Sequence, residues 1–194
     1  MQPCPKQERN NQKKMSEIVP IPKSSGCDFV GGVFKAYATE SENITAVAVT
    51  DGEITGFTMA SAGQWGKLEF DDQQNVAFFN ENGERNGNVV RVNGTGLMSF
   101  VGLTAAKIVA ANKAKACCGL VLVWFHYDGT RRVQGIDVNP GDNTWKFSNQ
   151  LPRIIPNALS GTGAEESRLE YNVTHQGSQL SSTTDLTDTE IEAL

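Results

Sequence analysis

Long apolar runs are missing from this chain of 194 residues, and no window approaches the ~18 consecutive apolar residues of a membrane-spanning helix. The opening MQPCPKQERNNQKKM also lacks the apolar stretch of a signal peptide, so neither a membrane span nor export is expected. Cysteine is scarce and badly spaced for cross-linking. The four present are Cys4, Cys27, Cys117 and Cys118. The adjacent pair would project to opposite faces of a strand, which leaves no disulfide framework and points to synthesis in a reducing cytoplasm.

Histidine is limited to His126 and His175. A zinc site at Cys117, Cys118 and His126 would lack a fourth ligand and the usual Cys-x₂₋₄-Cys spacing. Buried small side chains are the expected role of the cysteines. A cysteine nucleophile needs a base and a polar cleft, and nothing in the sequence aims His175 at Cys117. Gly94-Thr95-Gly96 and Gly161-Thr162-Gly163 lack the Lys-Ser/Thr of a phosphate-binding loop and read as ordinary loops. Carboxylates cluster at Glu69, Asp71 and Asp72 and again at Glu165 and Glu166, where exposed turn positions are the expected reading rather than a hydrolytic pair. No enzyme activity, metal or cofactor is therefore expected.

Basic charge is also in short supply. With 17 Lys and Arg against 22 Asp and Glu, the net charge of −5 opposes tight binding to phosphates. Lys107, Lys113, Lys115, Arg131 and Arg132 carry no interleaved aromatics and read as a solvated face.

What remains is β-like. Apolar content of 39% with 19 glycines suits a loop-rich β protein better than a helical bundle. Phe29–Ala38, Ile44–Thr50 and Glu53–Ala60 are rich in Val, Phe and Tyr, and Asp51-Gly52 is a hairpin turn dipeptide. Trp65–Phe70 and Asn75–Asn80 read as a strand pair around a polar turn. Glu81–Gly96 (ENGERNGNVVRVNGTG) is too polar to pack inside and reads as an extended surface hairpin or long loop. Leu97–Val101 then re-enters the sheet.

One helix is expected, AAKIVAANKAKA after the N-cap Thr104, with its lysines near the negative end of the dipole and Gly119 as its stop. A hairpin follows, Leu120–Tyr127 and Arg131–Val138. Both faces of its first strand are apolar, so it requires cover on both sides, one of them expected from the helix. Beyond Trp145-Lys146-Phe147 lies a Pro- and Gly-bearing connection through Leu159–Gly163. The last strand, Arg168–Thr174, alternates Leu169/Tyr171/Val173 against Arg168/Glu170/Asn172.

Three regions result: a flexible extension over 1–25, a β domain over 26–177 and a flexible acidic tail over 178–194. Met15 opens MSEIVPIP, which reads as a start in its own right, with residues 1–14 as an upstream extension.

The succession of pieces resembles a known family. A Gly-Gly strand pair, VGGVFKAYATESENITAVAV, opens the domain, and a paired-strand block, GQWGKLEFDDQQNVAFFNENGERNGN, leads into a long loop. A strand, one helix, the hairpin LVLVWFHYDGTRRVQGIDV, a GTG-containing connection and SRLEYNVTHQG complete it. From Gly26 to Gly177 this is similar to the major tail tube proteins of long-tailed bacteriophages, especially those of phages with Bacteroidetes-type hosts. The resemblance implies a mainly β subunit, sandwich- or barrel-like, with one flanking helix. It also implies a virion structural role, in homohexameric rings stacked into a tail tube that joins other tail proteins and conducts genome DNA at ejection. DNA would pass without specific binding. Subunits would be made in the bacterial host cytoplasm and end in the virion tail. Under this resemblance Asn82, Glu84, Arg85, Asn88, Val90, Arg91 and Asn93 are candidate subunit-interface residues, and Glu69, Asp71 and Asp72 candidate lumen carboxylates. Alternative roles are a head–tail connector, a tail-completion protein or a capsid-decoration protein. A carbohydrate-binding β-sandwich is a further alternative and would need an exposed platform from Trp65, Trp124 or Trp145.

Overall fold

The computed structural model describes residues 32–61, 63–70, 76–86, 89–113, 119–162 and 166–194. Expectations for the 1–25 extension, Phe29, Asp71, Asp72, Asn88, Lys115, Cys117, Cys118 and Glu165 lie outside the described residues. Along the chain run β1 (Val33–Glu40), β2 (Ile44–Thr50), β3 (Glu53–Met59), β4 (Gly66–Glu69), β5 (Val76–Asn86) and β6 (Val89–Val101). Helix α1 (Ala105–Lys113) follows, then β7 (Leu120–His126), β8 (Arg131–Gln134), β9 (Ile136–Asn139) and β10 (Thr144–Phe147). The last elements are β11 (Gln150–Leu159), β12 (Arg168–Gly177), β13 (Ser182–Thr183) and α2 (Asp188–Glu192). The protein is mainly β, with antiparallel sheets and few helices, as its composition led us to expect.

The sequence pattern of β7 explains the layering. All its residues from Leu120 to Phe125 are buried, so each face of this strand must meet another layer. β7 lies within a central sheet of order β13-β8-β7-β1-β4. Leu122 and Trp124 join Ala36 in facing an outer sheet of order β11-β12-β6-β5, where they meet Ala77, Phe79, Met98, Leu169, Tyr171 and Val173. Val121, Val123 and Phe125 join Tyr37 on the opposite face. There they meet Ile44, Val47, Ile54 and Phe57 of the β2–β3 hairpin and Ile136 and Val138 of β9, which pairs with β10. The covers of β7 are thus mainly β-structure of its own chain. Helix α1, expected to supply one of them, adds Ala111 to the cluster around Leu122 and Trp124, while its Val109 remains 53% exposed.

Several local expectations are corrected. β4 and β5 are not a strand pair: β4 joins β1 in the central sheet and β5 joins β6 in the outer one. β1 and the following β2 likewise separate into different layers. The run Arg131–Val138 breaks at Gly135, whose φ of +104 lets the chain leave the central sheet for the β9–β10 hairpin. A Cβ there would also lie 2.9 Å from the Leu120 carbonyl oxygen. The Pro- and Gly-bearing connection is largely strand β11. It is an edge strand, which is where Pro152 and Pro156 are tolerated because an edge leaves one side of the ladder unused. Gly94-Thr95-Gly96 is the middle of β6 rather than a loop.

The acidic tail is not free. Ser182 and Thr183 pair with Val133 and Arg132 of β8, and Thr184 forms a parallel bridge to Ile54 of β3. Thr187 caps α2 in a reciprocal capping box with Glu190, and Leu186 and Ile191 are buried in the core. α2 presents Asp188 and Glu192 to β1 and β4: Asp188 pairs with Lys35, while Glu192 accepts from Tyr37 Oη at 2.8 Å and Lys67 Nζ at 3.1 Å. This is a second helix where one was expected. Asp188, Glu190 and Glu192 are each engaged by a cation, a phenol or the helix cap.

Candidate functional site

Two features stand apart from ordinary packing: an uncovered sheet face with a projecting hairpin, and a buried polar row beneath it. Strands β5 and β6 pair without interruption from Val76↔Ser99 to Asn86↔Val89. The Asn- and Gly-rich stretch forms this hairpin because its polar residues need no burial while its backbone groups satisfy one another. Asn82, Glu84, Arg85, Val90 and Arg91 are exposed on it, and Asn93 is half-buried, accepting from Gln176 Nε2 at 2.8 Å. The hairpin therefore carries six of the seven expected interface residues; Asn88 is the exception, lying outside the described residues.

The outer face of the same sheet continues this surface. Phe78, Leu97, Asn172 and Ile155 form one row across β5, β6, β12 and β11. Phe78 is 40% exposed and Ile155 52%, and among the described residues no layer covers this face. Asn80, Thr95, Thr174 and Arg153 make the next row, exposed and polar, with one charge at the β11 edge. Glu69, the one described lumen candidate, lies elsewhere. It is on β4 at the edge of the central sheet, paired with Lys67 at 2.8 Å.

On the inner side of the outer sheet, the register places Glu81, Gly94 and His175 side by side on β5, β6 and β12. Gly94 leaves a gap, and Gln134 of β8 enters it from the central sheet. A Cβ on Gly94 would lie 2.7 Å from Gln134 Nε2 and 3.0 Å from His175 Nδ1. Gln134 Oε1 accepts from Trp124 Nε1 at 3.2 Å, and Trp124 stacks on Phe79 with centroids 5.4 Å apart. Gln134 Nε2 and both ring nitrogens of His175 are buried with no protein partner. Burial holds the His175 imidazole below its ordinary range, against the opposing pull of Glu81 and Asp137.

Both neighbouring carboxylates are engaged. The Glu81 side chain, 2% exposed, accepts from Arg132 at 2.5 Å and from Ser181 N and Oγ at 3.0 and 2.6 Å. Asp137 accepts from Ser148 Oγ at 2.6 Å, from Ser178 N at 3.1 Å and from the Ser178 hydroxyl. Sequence reasoning missed this row. An inward carboxylate on an otherwise polar hairpin leaves no mark in composition, and only strand register brings Glu81, Gly94 and His175 together.

The remaining chemical signals disperse. His126, lowered by burial, sits at the end of β7 beside the Asp128 turn, and Asp128 is lowered in turn by accepting from Thr130. Arg131 lies over Phe125 and donates to the Asp185 carbonyl, Arg132 lies over Phe79, and Lys107 donates to the Val101 carbonyl. Lys107, Arg131 and Arg132 of the basic group thus serve packing and local bonding, while Lys115 and the Lys113 side chain lie outside what is described. Trp124 is fully buried, Trp65 packs on Phe57 and Trp145 on Phe147, so the three tryptophans form no common exposed platform. Among the described residues, no three His, Cys, Asp or Glu side chains converge as a metal site would require. Comparison of the chain with protein-family models, with curated proteins and with solved structures gave no match.

Proposed function

We propose that the chain is a virion structural subunit that assembles with copies of itself, in the manner of a tail tube ring. The observation that carries this reading is the outer sheet: it packs the core with one face, and among the described residues nothing covers the other, where Val76, Phe78, Ile155 and Leu159 are each 40% or more exposed. A monomer rarely leaves such a set of apolar groups spread over an open sheet face without a partner for it.

Two further features support assembly. The β5–β6 hairpin extends the interface candidates beyond the row of Glu81, where an arm can reach a neighbour. The outer edge of β5 is an 11-residue strand without proline, and no described strand pairs with it. Closed rings require a contact between two different patches, and the two edges of this sheet differ in that way: β5 is open, whereas β11 carries Pro152 and Pro156. An acidic balance of 22 to 17 would keep phosphates from sticking to a conduit built of such rings, so DNA passes rather than binds.

Size-exclusion chromatography with negative-stain microscopy tests the proposal. Rings or stacked tubes on the order of 100 Å wide are expected. Rings that never stack would favour a connector or completion role. A protein that stays monomeric at high concentration in every salt condition overturns self-assembly altogether.

A further inference from the structure

The buried row has a consequence for the C-terminal segment. His175 is 5% exposed, on β12, and its ring is surrounded by groups from four other elements. Glu81 comes from β5, Gly94 from β6, Gln134 from β8 and Asp137 from β9, with Arg132 of β8 bound to Glu81. The two carboxylates facing the imidazole are the same two that hold the chain just after β12. Asp137 grips Ser178 and Glu81 grips Ser181, each through a backbone N–H and a hydroxyl. Beyond Ser181 the segment is held by the two residues of β13, by Thr184 through its bridge and its hydroxyl to the Ile54 carbonyl, by Arg131 on the Asp185 carbonyl, by buried Leu186 and Ile191, and by the bonds of α2 to Lys35, Tyr37 and Lys67.

We propose that His175 is an acid-sensitive latch for the C-terminal segment. Proton uptake on the imidazole draws Glu81 and Asp137 away from Ser181 and Ser178, and residues 178–194 detach from the body. The chemistry follows from the positions. Neutral imidazole carries one N–H and no charge, and the carboxylates remain with the serine donors. Imidazolium brings two N–H donors and a full charge into a buried space where, among the described residues, those carboxylates are the anions facing it. A carboxylate turned toward the ring loses its place on the serine N–H. Detachment uncovers the β8 edge at Val133 and Arg132 and the core positions filled by Leu186 and Ile191. The latch depends on residues remote in sequence, Glu81, Asp137 and His175, which only the fold assembles.

Hydrogen exchange of the full chain, followed by mass spectrometry from about pH 7.5 to about pH 4.5, tests the latch. After correction for intrinsic exchange, opening of peptides covering 178–194 should increase about tenfold per pH unit below about 6.5, one proton being taken up per opening. The strand Leu120–His126 should stay protected throughout. His175→Gln should abolish the pH dependence of the tail, whereas His126→Gln should leave it intact. A flat wild-type profile overturns the proposal, as does an undiminished slope in His175→Gln, which would assign the effect to carboxylates. Should that variant not fold, the wild-type protein decides by NMR. The His175 ring protons and the Ser181 amide must titrate with one midpoint, and separate midpoints overturn the latch.

Discussion

Adding a single methyl group at Gly94 should destabilise the protein clearly, and the size of the effect follows from the gap it occupies. The Cβ would lie 2.7 Å from Gln134 Nε2, 3.0 Å from His175 Nδ1 and 3.5 Å from His175 Cβ. Neither neighbour can withdraw cheaply. Gln134 is fully buried and tied through Oε1 to Trp124 Nε1, which is itself stacked on Phe79. Overpacking of this kind costs about 1–3 kcal/mol. Losing the Trp124–Gln134 bond adds about 1 kcal/mol. The opposing contribution is known in sign: Gly94 does not require positive φ, so alanine would by itself stabilise by about 0.4–1 kcal/mol through the unfolded chain. Gly94→Ala should therefore lose about 1–3 kcal/mol, or on the order of 3–10 °C in Tm for a protein of this size. Gly83→Ala is the matched control: it lies in the same hairpin and a Cβ there would meet nothing within 4 Å. Thermal and urea denaturation of both variants would measure the difference. If Gly94→Ala proved as stable as the parent, the packing of Gln134 and His175 against that glycine would be refuted, and with it the geometry of the buried row.

Two other perturbations address the tail and the histidines. Ile191 of α2 is 1% exposed, so Ile191→Ala should cost about 2–5 kcal/mol in urea denaturation; a free tail would give no change. His126 and His175 are both held below 6.5 by burial, so the unfolded chain takes up protons that the fold resists. Their contribution to stability is complete above about pH 6.5 and declines as pH falls through that value toward their lower folded values. The urea midpoint should therefore drop between about pH 7.5 and pH 5, and a constant or rising midpoint would contradict the assignment.

Much of the fold was legible because it rests on local patterns. β7 declared itself by an apolar sequence on both faces, and β12 by strict alternation, which the structure repeats residue by residue from Arg168 to Val173. The β5–β6 hairpin was legible as a polar, Gly- and Asn-rich excursion. β11 was hidden by its two prolines, which argue against a strand except at an edge, and edge position is a property of the sheet. The tail misled for a different reason. Its composition is that of a solvated segment, yet Thr187-Asp188-Thr189-Glu190 before Ile191 is a capping-box signature. The partners of its acidic side chains, Lys35, Tyr37 and Lys67, lie far away along the chain.

Taken alone, the sequence determined that the protein is mainly β, that one strand is apolar on both faces, and that Glu81–Gly96 is a polar surface hairpin or loop. These depend on periodicity and turn chemistry within a few residues. The tertiary structure alone decided which layers cover β7, that β4 and β5 part into different sheets, and that the tail is clasped. It also set Glu81, Gly94 and His175 in one row and brought Gln134 and Asp137 to them. The physical reason is that strand register and layer order arise from contacts between residues distant in sequence. A buried polar group is selected by the partners it meets there, and a one-dimensional pattern carries no record of them.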